Sequence, residues 1–76
     1  MAIHLDPNFA GAELAVIGGG WGNTNRGGAS VIGGGHRNRI DSGALDNSVG
    51  GGRRNVIESN ADRAVIGGGN ENLIRG

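Results

Sequence analysis

Ala15-Val16-Ile17-Gly18-Gly19-Gly20 is the stretch that decides how this chain is read, because its pattern returns three times. The copies are Ser30-Val31-Ile32-Gly33-Gly34-Gly35, Asn47-Ser48-Val49-Gly50-Gly51-Gly52 and Ala64-Val65-Ile66-Gly67-Gly68-Gly69. An asparagine stands three residues beyond each triplet, at Asn23, Asn38, Asn55 and Asn72. The triplets begin at 18, 33, 50 and 67, so the period is 15, then 17, then 17 residues. Self-similarity at a fixed period marks a repeat architecture, in which each unit stacks on its neighbours.

Composition narrows what such a repeat can be. A chain of 76 residues is one domain, at a size where a single core supplies only about 3–5 kcal/mol. Cysteine is absent, which excludes disulfides and thiolate metal sites. His4 and His36 stand far apart without a ligand pattern, so oligomerisation is the remaining source of extra stability. Seven arginines balance seven acids, whereas a generic binder of nucleic acid or anionic membrane carries a basic excess. No run approaches the ~18 apolar residues of a membrane helix, and the first residues lack the pattern of a signal peptide. The 18 glycines do not fall at every third position and follow branched aliphatics, which argues against collagen and against a flexible linker.

The repeat predicts an all-β chain. No segment keeps a 3.6-residue apolar period beyond a turn. Each coil reads as two strands of about five residues, joined by glycine and asparagine corners. The coils are 15–29, 30–46, 47–63 and a partial 64–76, stacking into a β-solenoid (β-helix or β-roll) on the order of 20 Å tall at the strand spacing. Residues 1–14 read as an N-terminal cap or linker, with a short strand at Ile3-His4-Leu5 and a turn at Asp6-Pro7-Asn8.

Alignment on the triplet assigns the columns. Adjacent residues of a strand point to opposite faces, so Val16, Val31, Ser48 and Val65 lie opposite Ile17, Ile32, Val49 and Ile66. One coil has one interior, so the second face needs cover, which other copies of the chain would provide. The expected assembly core is Val16, Ile17, Val31, Ile32, Ile40, Val49, Ile57, Val65, Ile66 and Ile74; Asn25 interrupts its second column. The glycine triplets are expected to admit another backbone at a crowded axis between subunits. The repeated asparagines would form a ladder along the stack, each amide bonding the next. Gly28, Gly43 and Asn60 read as positive-φ corners, and Ala29, Ala44 and Ala61 as small inward positions. The extra two residues of the longer coils are placed at Leu45-Asp46 and Asp62-Arg63.

Residues 30–40, with the pattern Ser-Val-Ile-Gly-Gly-Gly-x-x-Asn-x-Ile, resemble the short repeats of trimeric autotransporter adhesin heads. They are more similar still to glycine-rich repeats of bacteriophage tail-fibre shafts and related bacterial surface proteins. The resemblance spans 15–76. It implies a homotrimer, intertwined or side by side, acting as a rigid structural segment of a virion tail fibre or bacterial cell surface.

Functional residues are few. Val16-Ile17-Gly18-Gly19-Gly20-Trp21-Gly22 approaches a dinucleotide-binding turn, but Asn23 occupies the third glycine position and no amphipathic helix follows. A calcium nonapeptide is excluded by the period and by asparagine at the ligand position. Asp41, Asp46, Glu58 and Asp62 read as solvent-facing charges, Asp41 and Glu58 in equivalent slots, rather than as a catalytic pair in a cleft. The chain is expected to be neither an enzyme nor a cofactor or metal binder. The positions after each triplet form an outward ridge, Trp21, His36, Arg37, Arg53 and Arg54, with Asn70-Glu71 following and Arg39 nearby. Such a ridge could stack on a sugar and pair with its anionic groups, which makes a cell-surface glycan or receptor the alternative partner. Packing of Trp21 on Phe9 or Leu5 is the plainer expectation.

Overall fold

The computed structural model describes residues 8–76; the strand expected at Ile3-His4-Leu5, and Asp6-Pro7 of the expected turn, lie outside them. The chain is a β-solenoid of parallel strands stacked in two sheets. One sheet, A, runs β1 (Phe9–Ala10), β3 (Thr24–Asn25), β5 (Arg39–Ile40), β7 (Val56–Ile57), β9 (Leu73–Ile74). The other, B, runs β2 (Val16–Ile17), β4 (Val31–Ile32), β6 (Ser48–Val49), β8 (Val65–Ile66). Every strand is two residues long rather than the five expected. Positive-φ residues bracket the strands on both sides, so the backbone turns before a third pair can form.

In-and-out alternation sorts the aliphatics cleanly. Ile32, Val49 and Ile66 from sheet B and Ile40 and Ile57 from sheet A are buried, with Ile17 and Ile74 packed against them at the two ends. Val16, Val31 and Val65 are not in this core. They face outward, 49 %, 40 % and 67 % exposed. Every one of those burial values is reached within one chain, because each coil closes its own interior.

The first and third glycines of the triplets that have a coil after them are explained by that coil rather than by a second subunit. A Cβ built on Gly33 would lie 2.6 Å from the carbonyl oxygen of Gly50, closer than such contacts occur. The third glycine of the first three triplets combines the same crowding with positive φ, 98° at Gly35.

Register also moves two boundaries. β1 pairs with β3, Phe9 opposite Thr24 and Ala10 opposite Asn25. Residues 8–14, expected as cap or linker, therefore form half a coil in register with the stack. Gly28 bridges Leu45, and Leu45 bridges Asp62, so Leu45-Asp46 and Asp62-Arg63 have counterparts in the shorter coil. The additional residues are Ser42-Gly43 and Ser59-Asn60, in turns closed by Ala44 N–H donating to Asp41 O and Ala61 N–H to Glu58 O, both at 3.3 Å. Gly43 and Asn60 supply the positive φ, 85° and 68°. The small inward residue of the short coil is then Gly27, which is buried, while Ala29 is exposed with φ of 50°. Gly28 is not a positive-φ position.

Asn25 accounts for the short corner. Where the longer coils carry Ile40 and Ile57 it is fully buried; its Oδ1 accepts from Gly27 N–H (3.1 Å) and its Nδ2 donates to Val16 O (3.0 Å) and Ser30 O (2.8 Å). The side chain stands in for the two missing residues. A buried amide left unpaired would cost about 1–3 kcal/mol per group, and here each finds its partner.

Candidate functional site

The asparagines after the triplets form a continuous ladder. Asn23 Oδ1 accepts from Asn38 N–H (2.9 Å) and Nδ2 (3.1 Å), Asn38 Oδ1 from Asn55 N–H (3.0 Å), and Asn55 Oδ1 from Asn72 N–H (2.9 Å) and Nδ2 (3.0 Å). Every Nδ2 also reaches back over its own triplet, Asn38 to Gly34 O at 2.9 Å, and those of Asn23, Asn38 and Asn55 reach across to the next coil, Asn38 to Gly52 O at 3.1 Å. A Cβ on Gly35 would sit 2.8 Å from Asn38 Nδ2. Glycine and asparagine are thus one device: the missing side chain makes room for the amide that pins the turn to the next coil.

One further rung and a second column escaped the sequence reading. Asn8 Oδ1 accepts from Asn23 N–H (3.1 Å) and Nδ2 (3.0 Å), extending the ladder upstream. Its separation of 15 residues from Asn23, equal to that from Asn23 to Asn38, is the signal that could have found it. A second column runs through the first position of the repeat, where Ser30 Oγ accepts from Asn47 N–H (3.1 Å) and Asn47 Oδ1 from Ala64 N–H (2.7 Å). Its residue types differ from coil to coil, so periodicity alone does not reveal it.

The outward ridge is assembled as a corner between the sheets. Trp21 bridges His36, His36 bridges Arg53 and Arg53 bridges Asn70, one per coil. Trp21, 42 % exposed, stacks on His36 with ring centroids 4.0 Å apart and planes tilted by 32°, while the Arg37 guanidinium lies 5.6 Å from the Trp21 ring centre. Phe9 instead carries the Arg26 guanidinium at 5.4 Å, and Leu5 lies outside the described residues. Arg37, Arg54 and Glu71 form the adjacent column, all at positive φ, and Arg54 approaches Glu71 at 3.9 Å. The ridge residues Trp21, His36, Arg37, Arg53 and Arg54 therefore occupy neighbouring positions on one corner.

The acids expected on the surface are there. Asp41 and Glu58 share a column with Arg26 and Arg75. Asp41 pairs with Arg39 at 2.8 Å and Glu58 with Arg75 at 3.9 Å. Asp46 and Asp62 stand on the opposite corner, where Asp62 Oδ1 accepts from Leu45 N–H at 3.1 Å. Among the described residues no three His, Asp or Glu side chains converge on a metal-sized site, and no helix is long and apolar enough to cross a membrane. Comparison with family models, curated proteins and solved structures finds no match to this chain.

Proposed function

We propose that this chain is a non-enzymatic structural module, a rigid β-solenoid segment of a fibre or surface adhesin that spaces or presents a binding tip. The observation that carries the reading is the unbroken asparagine ladder beside the aliphatic column Ile17, Ile32, Val49 and Ile66, which bond and pack every coil to the next. Stacked coils of this kind make a shaft whose stiffness comes from contacts between nearest neighbours. The resemblance of residues 30–40 to tail-fibre and adhesin repeats supports reading the module as a homotrimer on a virion or a bacterial surface.

The competing reading is a binding module in which the Trp21 corner takes an anionic glycan, and the stacked Trp21–His36 pair beside Arg37 favours it. Binding to an array of anionic glycans, with and without Trp21→Ala, decides between them. A shaft module gives no binding that depends on Trp21 and resists protease in its native state. Binding lost in Trp21→Ala makes the corner a receptor site.

A further inference from the structure

All seven arginines and all seven acids lie outside the four runs 15–20, 30–35, 47–52 and 64–69. Those runs carry sheet B, whose outer surface is the column Val16, Val31, Ser48 and Val65. The outer column of sheet A, Phe9, Thr24, Arg39, Val56 and Leu73, also exposes apolar side chains, but it carries the charge of Arg39. The sheet-B face is thus uncharged and, apart from Ser48, apolar, whereas the sheet-A face carries charge.

A second observation is independent of the first. The middle glycine of the triplet has no explanation inside its own chain at Gly19 and Gly68. Neither has positive φ, and a Cβ built on either meets nothing within 4 Å. The first and third glycines of the inner triplets are demanded by the next coil; Gly19 and Gly68 lie in open space. A bare position there keeps the surface flat for something outside the chain.

Charge then says what that something is. Each sheet-B strand lies between two corners in the coil. The corner after it carries Arg37, Arg53 and Arg54 against Glu71; the corner before it carries Glu13, Asp46 and Asp62 against Arg63. One edge of the face is basic and the other acidic. Copies related by rotation about an axis along the stack set each basic edge beside a neighbour's acidic edge. Face-to-face antiparallel copies would set like edges together.

We infer that the sheet-B face docks a second copy of this chain, in parallel, with the valine column at the centre and the basic corner of one copy against the acidic corner of the next. This rests on the assembly named under Proposed function and specifies its surface, polarity and electrostatic edge. Four rungs at about 4.8 Å give a face well below the roughly 800 Å² per partner of a standard interface. Association of this chain is therefore weak and concentration-dependent, and falls as salt screens the edges.

Sedimentation equilibrium from micromolar concentrations to about 1 mM, the weak end of specific association, tests it. The wild type is expected to form a multiple of the chain mass, and Val31→Glu to remain a single chain. Gly68→Gln keeps the inference testable if Val31→Glu misfolds, since its side chain enters open space: the circular dichroism spectrum is retained and association is lost. Arg53→Glu/Arg54→Glu alone weakens association, and adding Asp46→Arg/Asp62→Arg in the same chain restores it. A wild type monomeric throughout overturns the inference, as does association untouched by Val31→Glu and Gly68→Gln or not recovered by the double swap. A monomer that resists protease and binds no glycan would remove the docking surface alone and leave the shaft module standing.

Discussion

The two halves of each coil obey different rules. The sheet-B half keeps its glycine triplet and its asparagine in every coil, and its Val-Ile pair in all but the third. The sheet-A half and the corner that follows it vary in length, in charge and even in polarity, with Asn25 standing where Ile40 and Ile57 stand in later coils. The reason is visible in the bonds. The triplet and its asparagine are locked to the next coil by backbone crowding and by the ladder together, so a change in either damages both. The variable corner meets its neighbours through turns that accept either two extra residues or a buried amide. A repeat conserves what touches the next repeat and lets the rest drift.

The sharpest way to break the comparison lies within one strand. Val31 and Ile32 are adjacent, yet Ile32 is fully buried and Val31 40 % exposed. Ile32→Ala is expected to lose about 2–5 kcal/mol from cavity formation; Ile32→Asp, which buries an unpaired charge, should abolish folding. Val31→Ala should stay within about 0.5 kcal/mol in the single chain. Denaturant titration of the three variants checks this, and equal losses at the two positions would overturn the inside-and-outside assignment.

Next in size is the ladder. Asn38→Ala removes the partners of Asn55 N–H and the Gly34 carbonyl, while Asn23 Oδ1 keeps the backbone N–H of residue 38 and Gly52 O keeps His36 N–H, at about 1–3 kcal/mol for each buried group left unpaired. Asn72, the last and exposed rung, should cost much less when truncated, so the difference in midpoint between the two alanine variants measures the worth of an interior rung.

A glycine pair sharpens the contrast within one motif. Gly35→Ala meets Gly52 O and Asn38 Nδ2 at a φ of 98°, and should cost about 1–3 kcal/mol for the backbone alone, with the clash added. Gly68→Ala should be near neutral in the single chain, within about 0.5 kcal/mol. Thermal melts of the two variants side by side test whether all glycines of a triplet serve the same purpose.

The smallest expected effect concerns the variable corner. Deleting Ser42-Gly43 leaves Ile40 over a short corner without the amide that Asn25 provides in coil one. Adding Ile40→Asn to the deletion should recover part of the lost stability, by about 1–2 kcal/mol, a coupling readable in a double-mutant cycle. No recovery would mean that Asn25 and the 15-residue period are unrelated.

The sequence by itself determined the solenoid, the four-fold repeat, the ladder positions and the split between valine and isoleucine columns. All of these follow from short-range periodicity, because a residue that recurs in each coil must meet its own copies in a stack. Only the tertiary structure decided where the extra two residues lie, that Asn8 begins the ladder, and that the crowding around the triplets comes from the same chain. Each of those depends on which residue lies opposite which. Leu45 can be aligned with Gly28 or treated as an insertion on sequence grounds alike, and the choice is made by a backbone bridge between coils. The segregation of charge to two corners has the same origin: Glu13, Asp46 and Asp62 share no fixed spacing, and they gather on one edge only because turns of unequal length bring the chain back to the same place.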